Sequence, residues 1–589
     1  MNTFPLKRIL WSNEHIMAAL LGVLLLYMLP GWVNDLSGIF YFLIICAVAI
    51  FVDMAVNMFR YRQPVCAVSA AVTAGIVYVL TPGSSLGLQL AGTAAALILG
   101  KHIWGGTGKN PINPAMTGVL LIGLLTDLGA ADFSPRLLLI PALLLSIPFI
   151  RFRPYASIGF MTGMAAALVL LQKFGFDSYL GYGAIFWGCL IITDPVTVSF
   201  NPKVGAVGGA LVGLAAIVLS GSTVVLAAGI LLFNVICFIA DKYLEQTYIK
   251  NPGRKAVGRL IKDNSDKLYF DLSMTGDETT VVSLSDSVDC ESMLKRVEAN
   301  EVVGLGGAAF PAGRKIRTVA GSHAEKKYLI VNGVECDPGL IHDKWLINRH
   351  MKEICKGVSY IRECIDFELI TIAVKEGTEI KDCEVNVVTV PDYYPIGAEK
   401  NLIRHILGVS LSEGDIPAEN GILVLNVQTV FSIYEAVYHN KKADTKLITV
   451  ADLKAGVDYV VRVRLGTGIR ALLQMLPISS GNIFIGGGAM QCRTTTDEDV
   501  IDGNANFIGI SDFPKYKESV LCSKCGLCVE SCPQGLRVDA ISKLVDQGNL
   551  QSAKKYQPEK CIQCGNCSRV CLAGRNLAMR VKAAKLYEC

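Results

Sequence analysis

At 589 residues the chain is too long for a single hydrophobic core, so several domains are expected. Its hydrophobic fraction of 52% exceeds that of ordinary soluble proteins, and the excess is confined to the N-terminal end. The net charge of +4 averages an apolar and a polar half, and no basic patch with interleaved aromatics speaks for a nucleic-acid partner.

Apolar segments lie near 15–32, 38–58, 65–82, 84–100, 113–127, 137–150, 155–172, 179–193, 204–220 and 222–240. Each is about long enough to cross roughly 30 Å of hydrocarbon, which predicts an all-α polytopic membrane domain of about ten helices over 1–245. Flanking charges alternate. One set of ends holds Lys7, Arg8, Arg60, Arg62, Lys101, Lys109, Arg151, Arg153, Lys203, Lys242, Lys250, Arg254 and Lys255. The other holds Asp35, Asp127, Asp132 and Asp177, with Arg136 and Lys173 as the basic exceptions. The positive-inside rule then places both termini in the cytoplasm of a bacterial cell (inner) membrane protein. Asp53 is the clearest acid within an apolar segment and is either part of an ion path or a solvated, snorkelling acid.

Two polar loops interrupt this half, G-G-T-G-K-N-P-I-N-P-A-M at 105–116 and I-T-D-P-V-T-V-S-F-N-P-K at 192–203. Asn-Pro and Asp-Pro break helices, so the loops are either cytoplasmic turns or polar breaks at membrane depth. Their positions after the fourth and eighth segments hint at an internal repeat.

Beyond a linker and reduced N-terminal region at 246–299, the composition becomes that of a soluble α/β domain over 300–445. Runs 328–331, 369–374, 385–390 and 423–427 read as buried strands, with helices expected near 340–363, 397–408 and 430–438. A small β-rich module is expected over 446–490. The glycine-rich G-L-G-G-A-A-F-P-A-G-R-K at 304–315 lets backbone N–H groups approach a phosphate or flat ring, with Lys315 supplying charge. It matches neither a Walker A loop nor a Rossmann fingerprint, and by itself a tight structural turn explains it equally well. It is followed by V-N-G-V-E-C-D-P-G (331–339), Y-P-I-G-A-E-K (394–400) and V-L-N-V-Q-T (424–429). The first and last set an Asn at a strand end, where open α/β sheets bind ligands.

The C-terminal region, 515–589, is expected to be an α-helical two-cluster ferredoxin domain. It carries C-x2-C-x2-C-x3-C twice, as Cys522, Cys525, Cys528, Cys532 and Cys561, Cys564, Cys567, Cys571. Four-coordinate zinc has no use for a third and fourth cysteine at this spacing, and disulfides need an oxidising compartment. The spacing is that of two [4Fe–4S] clusters, each run lending its fourth thiolate to the other cluster. Pro533 follows the first run as this pattern expects, whereas Leu572 follows the second. Cys46, Cys66, Cys189 and Cys237 read as packing residues, and a reduced setting suits the other cysteines.

On the N-P-x-N-P-A and T-D-P-V motifs, residues 1–245 resemble the RnfD and NqrB membrane subunits of ion-pumping Rnf and Na+-translocating NADH:quinone reductase complexes. That family carries covalent FMN on an S-G-A-T threonine. The sequence contains no S-G-A-T, so covalent FMN is not expected here and a separate flavinylated protein is expected as partner. On the five ordered motifs, residues 300–580 resemble RnfC and the NADH-binding flavoprotein subunit of complex I. This resemblance implies non-covalent FMN contacts from Gly304, Gly306, Gly307, Lys315, Asn332 and Asn426. It implies nicotinamide or ribose contacts near Phe310, Glu335, Asp337, Gly397 and Glu399. I-G-G-G-A-M (485–490) resembles part of the RnfC ligand-binding β-module, while the N-terminal β-sandwich usual in RnfC is expected to be absent or shrunken.

The resulting expectation is a fusion oxidoreductase passing electrons from NADH through FMN and two [4Fe–4S] clusters to a membrane or extracytoplasmic partner. The partner would be a flavoprotein or an iron–sulfur protein of an Rnf/Nqr-like complex. Glu335 and Asp337 would favour NADH over NADPH. The competing expectations are a non-catalytic electron relay or scaffold, and an ion-translocating transporter subunit driven by the redox domain.

Overall fold

The computed structural model describes residues 3–8, 12–61, 68–126, 128, 140–171, 183–199, 201–219, 222–243, 259–261, 268–273, 288–306, 309–378, 380, 383–411, 414–512 and 522–587. Gly307, Cys66, Arg62, Asp127, Asp132, Arg136, Lys173, Asp177, Lys250, Arg254 and Lys255 lie outside the described residues.

The N-terminal half is helical and carries apolar side chains on its outside as well as in its core. Phe40, Phe51, Phe59 and Leu125 face outward at 67%, 73%, 91% and 74% exposure, as a lipid-facing belt requires. Among the described residues, three helices are long and apolar enough to cross a membrane unaided, within Asn13–Asn34, Ser37–Tyr61 and Thr223–Tyr243. Val68–Leu80, Leu86–Leu97, Pro114–Leu125, Pro154–Leu170 and Pro202–Val218 are shorter than the sequence led us to expect, because polar loops and π-turns interrupt the apolar runs.

The hinted repeat is visible locally. π-turns Ile98–His102 and Phe186–Ile191 each precede one of the polar loops. Each loop ends in Asn-Pro, with Asn113 and Asn201 capping the next helix through their side-chain oxygens and the proline at its first position. Helices Pro154–Leu170 and Pro202–Val218 touch along a seam of small residues. A Cβ on Gly159 or Gly163 would collide with the backbone of Ala206 or Ala210, and one on Gly209 or Gly213 with that of Ala156 or Phe160.

The soluble half has two sheets. Strands β3 (Tyr328–Gly333), β4 (Leu369–Lys375), β5 (Val387–Val390) and β6 (Ile422–Asn426) form a parallel sheet ordered β5-β4-β3-β6. It is built by crossover helices such as His342–Arg362 and Glu399–Leu407. The second sheet is larger than the module expected over 446–490. It joins β7 (Thr445–Asp452), β8 (Val457–Arg464), β9 (Asn482–Gly486), β10 (Cys492–Thr495) and β11 (Phe507–Ser511) to two distant strands, β1 (Thr3–Phe4) and β2 (Tyr269–Asp271). These two strands are too short to show a period in the sequence, and only pairing with β10 and β8 reveals them.

The N-terminal segment stitches the parts together. The Leu6 amide donates to Ala489 O (2.9 Å), Lys7 Nζ to Arg259 O (2.7 Å), Arg8 Nη1 to Gly574 O (2.7 Å) and the Asn13 amide to Leu572 O (2.9 Å).

One cysteine expectation is corrected. Cys290 and Cys364 form a disulfide between the start of helix Cys290–Ala299 and the residues just past Arg362, and Cys355 and Cys383 hold their sulfurs 3.5 Å apart. The disulfide joins residues 74 apart in sequence, a proximity set by the packing of two helices and invisible to spacing.

Candidate functional site

Asn332 and Asn426 are paired in register at the carboxyl ends of the adjacent parallel strands β3 and β6. Outside these ends lies a cavity of about 320 Å³, within the range of cofactor sites. Gly304, Gly306, Phe310, Lys315, Asn332, Glu335, Asp337, Gly397, Glu399 and Asn426 all line it, so the structure gathers every described member of the expected set. The N-termini of helices Ala312–Ala320, His342–Arg362, Glu399–Leu407 and Val427–Tyr438 surround it and turn their positive dipole ends toward it, the second being capped by Glu335 and the fourth by Asn426.

Each polar residue has a definable job. Lys315 Nζ donates to Val424 O and lies 2.8 Å from Glu399 Oε1. Asn332 donates to Gly397 O (2.9 Å) and accepts from the Val334 amide (3.0 Å), locking the two turns together. Asn426 caps its helix by accepting from Gln428 N (2.9 Å) and donates to Asp343 Oδ2 (2.8 Å). A Cβ on Gly306 would sit 3.3 Å from Asn426 Cβ, so the glycine keeps the loop close to the strand end. Phe310 is 46% exposed at the rim, with the Arg314 guanidinium 5.6 Å from its ring centroid.

The two acids expected to bind ribose are instead occupied by the protein. Glu335 caps helix His342–Arg362, accepting from the amides of Asp343 (2.6 Å) and Lys344 (3.1 Å). Asp337 accepts from the amides of Gly339, Ala489 and Met490, clasping the I-G-G-G-A-M loop to the α/β domain. Sequence shows an acid beside a glycine turn but not the long-range amides that fill its lone pairs. Burial lifts Asp337 to about 6; burial and the neighbouring Asp343 raise Glu335 as well.

His342, Asp343 and Cys336 also line the cavity and are the additions that sequence reasoning missed. The motif H-D-K directly after the V-N-G-V-E-C-D-P-G turn, at a helix start, was the available signal. The Thr449 hydroxyl accepts from the Ile341 amide (3.0 Å) and lies 2.9 Å from His342 Nδ1. Burial holds His342 down to about 3, with Lys446 adding to the effect. Glu335, His342 and Asp343 each bring one donor atom within 4.8 Å of the others, but the capping and hydrogen-bonding partners just described already explain them.

The cysteine runs fold into matching turns. Lys524 and Gln563 adopt positive φ (51° and 57°), as do Gly526 and Gly565 (81° and 74°). The amides of Lys524 and Gln563 each reach the preceding Cys522 or Cys561 sulfur at 3.4 Å. Cys571 is an electrostatic neighbour of Cys522, Cys525 and Cys528, whereas Cys532 neighbours Cys561, Cys564 and Cys567. The structure thus brings the thiols together in the crossed-over sets expected from spacing, which suits two cubanes.

The two sets face different parts of the protein. Tyr394, Met490 and Cys564 pack together with the cavity-lining Cys336, and the Tyr394 hydroxyl donates to Cys564 O at 2.7 Å. At the other set, Arg153 Nη2 donates to Lys524 O (3.2 Å), and a Cβ on Gly108 would overlap the Cys522 carbonyl. Arg153 is buried and also donates to Val198 O and Pro195 O, while Asn113 Nδ2 reaches Asp194 Oδ2 at 3.3 Å. The two polar loops therefore meet each other and one end of the cysteine domain, which places them as more than simple turns. Residues 220–223 read S-G-S-T, the nearest approach to a flavinylation sequence, and Thr223 is 1% exposed at a helix start.

Comparison with known proteins matches three stretches of the chain. Residues 7–126 match the NQR2, RnfD, RnfE family, 297–435 the Nuo51 FMN-binding domain, and 514–574 a 4Fe-4S dicluster domain. Among curated relatives, the RnfC-type member of the ion-translocating oxidoreductase complex of Buchnera aphidicola is 28% identical over 298 residues, 48% of this chain and 62% of its own. Its counterparts in Haemophilus influenzae strain PittEE and Rhodobacter capsulatus are 28% and 26% identical, covering 42% and 45% of this chain. The chain spans 62%, 40% and 54% of the length of these three relatives. A solved NAD+-reducing [NiFe]-hydrogenase in the H2-reduced state aligns over 59% of this chain and 72% of its own, at 14% identity and a TM-score of 0.38. The chain therefore carries an N-terminal stretch similar to the NQR2, RnfD, RnfE family, followed by stretches similar to the Nuo51 FMN-binding domain and to a 4Fe-4S dicluster domain, and its C-terminal half is similar to the RnfC-type members of ion-translocating oxidoreductase complexes.

Proposed function

We propose that the chain takes electrons from NADH at the cavity and delivers them through the cysteine domain to the membrane loops, as an ion-coupled member of an Rnf/Nqr-like complex. One observation carries the reading: packed residues run from cavity-lining Cys336 through Tyr394 to Cys564, and the opposite end of the same domain rests on Gly108 and Arg153. When bound, FMN supplies the step from paired to single electrons that the clusters then carry.

The chain's own residues hold these groups in place. Gly304 and Gly306 keep backbone close to a flat ring, and the helix N-termini with Lys315 bind phosphate. Asn332 and Asn426 offer amides at the strand ends. Phe310, at the rim, stacks on the nicotinamide and sheds water from it. Asp343 and Glu399, wall carboxyls not held by backbone amides, disfavour a 2′-phosphate and select NADH over NADPH. The eight cysteines hold two [4Fe–4S] clusters, and the acceptor beyond the loops is a flavoprotein or an iron–sulfur protein of the same complex.

The test is anaerobic EPR and visible spectroscopy of the purified full chain, first with NADH and then with dithionite. Bleaching of flavin and appearance of cluster signals with NADH is the expected result. Clusters that dithionite reduces and NADH leaves untouched would reduce the chain to an electron relay.

A further inference from the structure

The membrane half contains a buried ionisable site that the electron route does not use. Asp53, Asn57, Lys101 and His102 are 0%, 1%, 3% and 4% exposed. Asp53 Oδ1 lies 2.7 Å from Lys101 Nζ and 2.9 Å from His102 Nε2, so two nitrogens crowd one oxygen. Asn57 Nδ2 donates to the other oxygen at 3.1 Å. The expectation of a solvated or snorkelling Asp53 is thereby corrected, because the π-turn Ile98–His102 folds a lysine and a histidine back over it.

The remaining surroundings are sparse. Helix Ser37–Tyr61 adds Arg60, whose Nη1 donates to His102 O at 3.0 Å. Helix Val68–Leu80 presents Ser69, which accepts from Lys101 Nζ at 2.9 Å, and helix Leu86–Leu97 carries no acid or base. Among the described residues both ring nitrogens of His102, Asp53 Oδ1 and Asn57 Oδ1 have no hydrogen bond of good geometry, His102 Nε2 facing Asp53 Oδ1 by proximity alone. A buried polar atom in a hydrocarbon setting is costly when unpartnered, so it marks a place where something binds.

We propose that His102 is a redox-linked proton site: it takes up one proton when the cluster held by Cys522, Cys525, Cys528 and Cys571 gains one electron. In the neutral tautomer that carries its proton on Nε2, toward Asp53, the imidazole leaves Nδ1 as a bare acceptor. Protonation there makes an imidazolium held by the Asp53 carboxylate. A metal cation is the wrong occupant, since hard cations need several free oxygens and Asp53 Oδ1 already faces Lys101 and His102. The link to the cluster is short in sequence. His102 leads into the loop whose Gly108, at φ +81°, packs so tightly on Cys522 that a Cβ would overlap its carbonyl. A negative charge arriving at that contact attracts a proton to His102 through a poorly screening medium, and π-turns recur at functional positions of this kind. The step balances: the reductant supplies one electron to the cluster, water on that side supplies one proton to Nδ1, and oxidation releases both.

The inference rests on the cluster reading but not on NADH as donor, so the test uses dithionite and mediators. EPR-monitored redox titrations of the full chain in lipid nanodiscs would be run from about pH 5 to 9, spanning the range in which histidines titrate. For one cluster, each tenfold fall in proton concentration should disfavour reduction by up to tenfold over part of this range, the other cluster serving as internal control. His102→Gln should abolish the dependence, and Asp53→Asn should move it to lower pH. Wild-type potentials independent of pH for both clusters would overturn the proposal without any variant, as would an unchanged dependence in His102→Gln at equal cluster content.

Discussion

Lys315 is the one basic side chain from the glycine-rich motif that reaches the cavity, held by Val424 O and Glu399. Charge-assisted hydrogen bonds of this type contribute about 1.5–3 kcal/mol, so Lys315→Ala should weaken FMN retention by roughly 10- to 100-fold in a flavin-fluorescence titration. His342 gives a pH signature. Its folded value of about 3 lies below the unfolded 6.5, so the unfolded state binds the proton first. The stability from a neutral His342 is complete above about pH 6.5 and is lost as pH falls toward 3. The buried acids Glu335 and Asp337 oppose this, because raised carboxyl groups favour the folded state at low pH. A comparison isolates the histidine: between pH 6.5 and 3, wild type should lose on the order of 4 kcal/mol more than His342→Asn in thermal unfolding. Thr223, enclosed at the start of its helix, should carry no flavin, so denatured chain on a gel should show no flavin fluorescence.

At the scale of elements, the small-residue seam between Pro154–Leu170 and Pro202–Val218 is the most constrained contact in the membrane half. A branched side chain there meets backbone, which has no rotamer by which to yield. Gly163→Val should separate the helices and lower the thermal stability of the detergent-solubilised chain by several degrees, whereas Gly22→Val, with nothing near its Cβ, should leave it unchanged. The strands of the α/β domain were legible because they are short β-branched apolar runs, two of which run into the Asn of a recognisable motif. The register of Asn332 opposite Asn426 was not, since it depends on which strands become neighbours.

For the whole molecule, the decisive arrangement is that one domain touches both the cavity and the membrane loops. Arg153 donates to carbonyls of the loop at Pro195 and Val198 and of the cysteine domain at Lys524. Removing it strips several buried carbonyls of their donor, so Arg153→Ala should raise amide hydrogen exchange across 522–532 while leaving flavin binding at Lys315 unaltered. Spacing was enough to establish two cysteine runs, the apolar segments and the glycine-rich motif, because these are local features fixed by covalent order and helical or strand period. Tertiary structure alone decided that Glu335 and Asp337 serve as caps, that β1 and β2 complete a distant sheet, that Cys290 reaches Cys364, and that Asp53 is enclosed by Lys101 and His102. Each of these depends on a partner far away in the chain or across a π-turn, and no local pattern encodes which backbone amide, strand or side chain the fold will bring alongside.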